Sequence, residues 1–210
     1  MKSKELFRKN VPGTTKILRK ACIGIAGCGG LGSNAAVALV RAGIGKLILA
    51  DFDVVEESNL NRQYFFQSDI GEKKTEALAH HLKAINPHIQ LILINKKITP
   101  ADVPKIFKDA DILIEAFDRA ESKSWLLEAW SMAFPGRHIV CASGLSGIGR
   151  TEALKVRHSG ALHIVGDGES QTSMGLCSAR VAIAANMEAN IAIELLVKNR
   201  KADDRISEAG

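Results

Sequence analysis

Short apolar runs alternate along much of the chain with longer segments of helical period. ACIGIAG (21–27), KLILA (46–50), IQLILIN (89–95), ADILIEA (110–116) and RHIVCAS (137–143) are rich in Ile, Leu and Val. Runs of that length and composition predict strands buried on both faces. Between them, 31–42, 71–86, a short piece near Pro104 to Lys108, and 120–134 have helical spacing. Gly43 and Pro87 stand just past the first two, where helices stop. The alternation predicts βαβ units and an α/β fold, with a doubly wound, mostly parallel sheet.

After Ser143 the pattern changes. Residues 144–159 are expected to supply one or two antiparallel strands toward the C-terminus. The Gly- and Ser-containing stretch 161–175 reads as a mobile loop, within a crossover loop spanning 159–176. A last helix is predicted from about Ala179 to Asn199, followed by a frayed tail at 200–210. That helix is apolar almost all round, yet Glu188, Glu194, Asn186 and Asn190 argue against a membrane span. It is expected to bury against the sheet or at a dimer interface. The 210 residues are expected to form a single domain.

Charge and cysteines narrow the function classes. Residues 1–20 hold seven Lys and Arg against Glu5, more than the whole formal +5, so the remainder is close to neutral. A basic N-terminal segment on a neutral body, with one Tyr and two Trp, argues against DNA binding. No uncharged apolar run reaches eighteen residues, and MKSKELFRKN has charges where a signal peptide needs an apolar stretch. Cys22, Cys28, Cys141 and Cys177 lack C-x-x-C spacing. A cytoplasmic protein without membrane contact is expected.

The first motif is GCGGLG, residues 27–32, which leaves a strand and opens a helix. Gly27 suits a tight turn, Gly29 and Gly30 let a phosphate approach the backbone, and Gly32 allows helix–strand packing, as in Rossmann-like folds. Asp51 ends the second strand, where a carboxylate accepts from ribose hydroxyls. Alone, these residues favour a NAD(P) enzyme.

DFDVVEESNLNRQYFF, residues 51–66, exceeds what such an enzyme needs. Asn59, Arg62 and Gln63 follow Asp51, Lys74 lies three residues after Gly71, and Asp118 follows the fourth strand. Asn, Arg, Gln and Lys bind phosphates, Arg by clamping two oxygens. An Asp at the same sheet edge suits Mg²⁺. The set describes a triphosphate–metal site. Individually, Arg62 or Asn59 could cap the loop, Lys74 could be helix-surface charge, and Asp118 could cap the helix near Ala120.

With GCGGLGS (27–33), LILADFDVVEESNLNRQ (47–63), DIGEKKTEAL (69–78) and Asp118 followed by Ala120 to Lys123, the chain resembles the ThiF/MoeB/HesA family, relatives of the ubiquitin-activating enzymes. The match runs from about Cys22 to Asn199 and is similar to the compact ThiF-like proteins of thiamine biosynthesis. The resemblance implies an adenylyltransferase using ATP and Mg²⁺. It would act on a small ubiquitin-fold sulfur-carrier protein ending in Gly-Gly, of the ThiS type, forming an acyl adenylate and releasing pyrophosphate. It implies Asp51 on the ribose, Asn59, Arg62 and Lys74 on the phosphates, Gln63 in support and Asp118 on Mg²⁺. Arg62, Lys74 and Asp118 are the expected catalytic residues. It also implies a homodimer, to which Arg8 would contribute across the interface.

Departures from the family pattern carry expectations too. Two C-x-x-C pairs that hold a structural zinc in many members are missing, so no zinc site is expected. Residues 159–176 contain no cysteine, and Cys177, just beyond, reads as a packed residue. The adenylate is therefore expected to pass to a separate sulfur-donating enzyme. Position 119 is Arg where the family commonly has Asn. A NAD(P)-dependent oxidoreductase, a relative activating another acceptor such as modified tRNA, and a non-catalytic scaffold that binds the carrier stay open as alternatives.

Overall fold

The computed structural model describes residues 5–208; Lys2 and Lys4 of the basic segment, and the last two residues of the tail, lie outside them. In chain order the elements are α1 (Thr14–Leu18), β1 (Cys22–Ala26), α2 (Gly30–Ala42), β2 (Lys46–Ala50), α3 (Lys74–Ile85), β3 (Gln90–Ile94), α4 (Val103–Ile106) and β4 (Ile112–Glu115). They continue with α5 (Ala120–Ala133), β5 (Ile139–Ala142), β6 (Lys155–Ser159), β7 (Leu162–Gly166) and α6 (Ser178–Glu208). Seven strands make one sheet in the order β3-β2-β1-β4-β5-β7-β6. All neighbours are parallel except β6, which pairs antiparallel with β7 at the edge. The doubly wound α/β reading is borne out.

Alternation along the strands divides the core into two layers. From β1, Ile23 and Ile25 join Ala35, Ala36 and Leu39 of α2, Leu78 and Leu82 of α3, and Ala184, Ala185, Ala189 and Ala192 of α6. Cys22 and Ala26 of the same strand face Val103 and Phe107 at α4, and Leu126 and Trp130 of α5. The period of two sends successive side chains to opposite faces, so β1 is buried on both sides, as its apolar run requires. The alanine stripe of α6 lets it lie close against α2. Because β1 pairs with both β2 and β4, the winding reverses there, and a crevice opens at their carboxyl ends.

Several expectations needed correction. β3 is not buried on both faces: it is the edge strand opposite β6, and Ile92 is exposed. Residues 162–166, expected within the loop, form β7, because β5 offers an unpaired edge whose backbone groups need partners. The crossing segment is therefore shorter, 167–177. The tail is not frayed through 208, since α6 continues to Glu208. α3 begins at Lys74 rather than near Gly71, because Gly71 holds φ 92° and its N–H donates to the Val55 carbonyl. The described charges of the basic N-terminal segment are exposed, while its apolar residues anchor it. Phe7 and Leu18 are buried in it, and Asn10 Nδ2 donates to the Ala42 carbonyl at 2.8 Å, while Arg8 and Lys9 stay exposed.

Far from the crevice, at the amino ends of β5 and β7, three imidazoles form a chain. His158 Nδ1 meets His163 Nδ1 at 2.6 Å, and His163 Nε2 meets His138 Nδ1 at 3.0 Å. Burial and its two neighbours hold His163 below the usual histidine range. Among the described residues no group of three or more His, Cys, Asp or Glu is placed to hold a metal ion, and no helix is long and apolar enough to cross a membrane.

Candidate nucleotide-binding site

The site starts where β1 ends. Gly27 turns the chain at φ 99° and donates its N–H to the Ala50 carbonyl at 2.8 Å. A Cβ there would stand 2.6 Å from the Ala116 carbonyl oxygen, and one on Gly32 would stand 1.8 Å from the Gly27 oxygen. Both positions exclude any side chain. At Gly29 a Cβ would meet only the Gln63 amide, at 3.8 Å, so that side of the loop is open. α2 opens at Gly30 with no side-chain cap and no acidic residue in its first turn. Its free N–H groups and dipole are left for an anion.

The loop after β2 is fastened onto this turn by neutral side chains. Ser33 Oγ donates to the Gly29 carbonyl at 2.7 Å and accepts from Tyr64 N at 2.9 Å. Asn34 Nδ2 donates to the carbonyls of Gly30 at 2.7 Å and Arg62 at 3.0 Å. These contacts bring Arg62 and Gln63 against the glycine loop. Neither Ser33 nor Asn34 was singled out by sequence reasoning; a polar pair on the first turn of α2 is the only local signal.

Asn59 is buried and works inside the loop: its Oδ1 accepts from Glu56 N at 3.1 Å, closing a 3₁₀ turn. Arg62 donates from Nη1 to Ser58 O and to Asn61 Oδ1, and its remaining guanidinium nitrogens make no hydrogen bond among the described residues. Gln63 is buried, and its Oε1 has no partner among the described residues. A buried, unpaired amide beside an open glycine loop fits a ligand with hydroxyl or amine donors.

Lys74 is not helix-surface charge. It is 7 % exposed, and its Nζ donates to Asp53 Oδ2 at 2.7 Å. Asp53 is thus the partner that sequence reasoning left without a role. Asp51 accepts from Cys28 N at 2.6 Å and from Asp53 N at 2.8 Å. Burial pushes its carboxyl above the ordinary carboxylate value, against those two hydrogen bonds and the nearby Lys74 charge. A carboxylate has about four acceptor positions, so capacity for a hydroxyl remains.

Asp118 sits exposed in the turn between β4 and α5 and makes no side-chain hydrogen bond among the described residues. It does not cap α5: the cap position is Arg119, with no side-chain cap bond, so the capping alternative is set aside. Just behind it, Glu115 is fully buried, accepting from Phe117 N at 2.6 Å and Lys123 Nζ at 2.8 Å. Glu188 of α6 is also fully buried, both oxygens without a partner among the described residues, and burial followed by the Glu115 charge pushes its carboxyl well up. These buried acids were missed because no local pattern marks a strand-end or helix carboxylate as interior.

Arg8 is not brought to this crevice. It is exposed, pairs with Glu5 at 2.9 Å, and follows Phe7, which packs by Gly43 at the far end of α2. Thirteen residues of helix separate that end from the glycine loop, about 20 Å of rise. Cys22, Cys28 and Cys141 are buried, and Cys177 is half-buried at the entrance to α6. Burial raises Cys22 to about 11 and Cys141 to about 12.

A glycine turn and an uncapped helix N-terminus thus stand where the doubly wound sheet reverses, with Arg62 laid against Gly30 and Lys74 paired with Asp53. The ThiF family model matches residues 5–207, so the chain belongs to the ThiF family. It is 36% identical over 151 residues to the adenylyltransferase and sulfurtransferase uba4 of Aspergillus clavatus, covering 71% of this chain and 30% of that protein. The chain therefore spans under a third of that relative's length. Among solved structures it resembles E. coli tRNA N6-threonylcarbamoyladenosine dehydratase, TcdA, in complex with ATP. The TM-score is 0.86 at 21% identity, over 95% of this chain and 96% of that one. It also resembles E. coli MccB with ATP, with TM-score 0.71 at 25% identity, over 88% and 58% respectively.

Proposed function

We propose that this protein is an adenylyltransferase. It uses ATP and Mg²⁺ to activate the C-terminal glycine carboxylate of a small ubiquitin-fold sulfur-carrier protein, ThiS-like and ending in Gly-Gly, and releases pyrophosphate. The observation that carries the reading is the fastening of the Arg62–Gln63 loop onto the glycine turn by Asn34, which leaves the Arg62 side-chain stem against Gly30 and the Gln63 amide beside Gly29. A NAD(P) enzyme has no use for that loop.

The donor set fits the nucleotide and the metal. Asp51 would take ribose hydroxyls, Arg62 and Lys74 phosphate oxygens, and Gln63 a group bound over Gly29. Asn59 acts by shaping the loop from which Arg62 projects. Asp118, a carboxylate with no hydrogen bond at the sheet's carboxyl edge, suits Mg²⁺, a hard cation that would neutralise phosphate charge when bound. In the reaction the carrier's carboxylate attacks the α-phosphorus, the bond to the bridging oxygen breaks, and pyrophosphate leaves with that electron pair. One anion approaches another, so the protein's work is to hold positive charge and N–H groups in place beforehand.

The adenylate would pass to a separate sulfur-donating enzyme, in a thiamine-type pathway, since the one cysteine of the crossing segment, Cys177, is half-buried at its last position, where its carbonyl accepts from Val181 N at the start of α6. A homodimer accounts for two loose ends. α6 presents an open face of Ala182, Ile183, Asn186, Met187 and Asn190, and Arg8, remote from its own crevice, would reach the partner's.

Calorimetric titration with ATP–Mg²⁺ and, separately, NAD⁺ tests the site; ATP–pyrophosphate exchange with Gly-Gly-ended carriers tests the acceptor. ATP binding weakened by Arg62→Ala, with carrier-dependent exchange, supports the reading. NAD⁺ binding with indifference to ATP sinks it. Exchange driven by modified tRNA and not by carriers would keep the chemistry and replace the acceptor.

A further inference from the structure

The turn that carries Asp118 has no device of its own to hold it. The Asp118 side chain makes no hydrogen bond among the described residues, and α5 starts without a side-chain cap. What spans the turn is Glu115. One oxygen accepts from Phe117 N, the residue before Asp118; the other accepts from Lys123 Nζ, in the opening turns of α5. The same turn touches the glycine loop: Ala116 N donates to Ala26 O at 2.8 Å, and the Ala116 carbonyl occupies the space a side chain on Gly27 would need.

We infer that Glu115 and Lys123 are a positioning pair, aiming Asp118 at the metal–phosphate centre and fixing its distance from the glycine turn. The inference rests on the reading of Asp118 as the Mg²⁺ ligand. Glu115 is fully buried while Lys123 is partly exposed, so the ammonium reaches inward to meet a carboxylate that has no route to solvent. A well-packed apolar pair would stabilise the fold as well or better. What an apolar pair cannot do is accept the Phe117 N–H and tie it to the helix by one rigid group.

The test uses Mn²⁺ as a spectroscopic stand-in for the metal, titrated by electron paramagnetic resonance against the protein bound to an α,β-methylene ATP analogue. Asp118→Asn, Glu115→Gln, Lys123→Met and Lys123→Arg are compared with wild type, and thermal unfolding verifies that each folds. Both Glu115→Gln and Lys123→Met are expected to weaken Mn²⁺ about tenfold, the range of groups that orient a metal ligand. Binding of the analogue without metal should be unchanged, and Lys123→Arg should restore most of the loss. In the metal-free protein, amide exchange at Phe117 should quicken in Glu115→Gln.

If Asp118→Asn loses Mn²⁺ while Glu115→Gln and Lys123→Met bind it like wild type, the positioning role is overturned and the site reading stands. If Asp118→Asn itself binds Mn²⁺ normally, Asp118 is no ligand, and the pair's role falls with it.

Discussion

Two stretches of the sheet's carboxyl edge are held by opposite means. Between the glycine turn and the loop that carries Arg62, the fastening is neutral: Ser33 and Asn34 tie one backbone to the other and Asn59 closes the loop itself, while much of Arg62's guanidinium stays free. Beyond β5, a buried ion pair does the fastening. Arg180 and Asp167, both under 5 % exposed, meet at 2.6 Å. Arg180 also donates to the carbonyls of Gly149 and Arg150, and Asp167 accepts from the N–H groups of Glu169 and Ser170. Where an anionic ligand must be met, committing cations to internal pairs would spend the charge it needs. Where only loops must be joined, a buried pair with further backbone partners is an effective joint. Lys74, paired with Asp53, lies between these extremes.

The comparison breaks most visibly at the ion pair. Arg180→Leu leaves Asp167 buried without its cation and should cost about 3–5 kcal/mol in urea unfolding, with little loss of ATP affinity in what remains folded. A loss no larger than that of a surface substitution would refute the contrast.

The site side should respond in the reverse sense. Arg62→Ala should weaken ATP–Mg²⁺ binding by about tenfold to a hundredfold, as expected for one charge-assisted contact, with stability nearly unchanged. Calorimetry and urea unfolding of the same sample separate the two effects. Asn34→Ala, which removes the donor shared by Gly30 and Arg62, should do both in moderation. It should cost about 1 kcal/mol of stability and produce a smaller affinity loss than Arg62→Ala.

Two buried titratable groups give finer tests. Glu188 has its folded carboxyl raised above the unfolded value, so its contribution is full below that value and is lost as pH rises. Glu188→Gln, which keeps the neutral form, should raise the unfolding midpoint at pH 7 and have little effect at pH 4. His163 is lowered instead, so stability should fall as pH drops below about 6.5, where the unfolded histidine charges. His163→Gln should flatten that part of the profile and leave the rest unchanged.

How much was legible follows from the range of each signal. β1, β2, α2 and α5 were readable because periodicity is local, and the glycine turn because a strand, a Gly27–Gly32 spacing and a helix lie within a dozen residues. Arg62, Lys74 and Asp118 were legible as a set, since each follows a strand or opens a helix at the same sheet edge. β7 was not, because a Gly- and Ser-containing stretch becomes a strand only when β5 offers it an edge. Nor was the burial of Lys74, which depends on Asp53 twenty-one residues away.

By itself, then, the sequence determined the doubly wound order, the glycine turn and the residue types gathered at one edge of the sheet, because those rest on spacing and backbone conformation. Only the tertiary structure decided which charges are internally committed and which remain free for a ligand. Lys74 meets Asp53, Lys123 meets Glu115, Arg180 meets Asp167, and Arg62 keeps most of its guanidinium free. The physical reason is that desolvation and pairing are properties of neighbours in space. A lysine or a glutamate looks the same in sequence whether water or a counter-charge surrounds it.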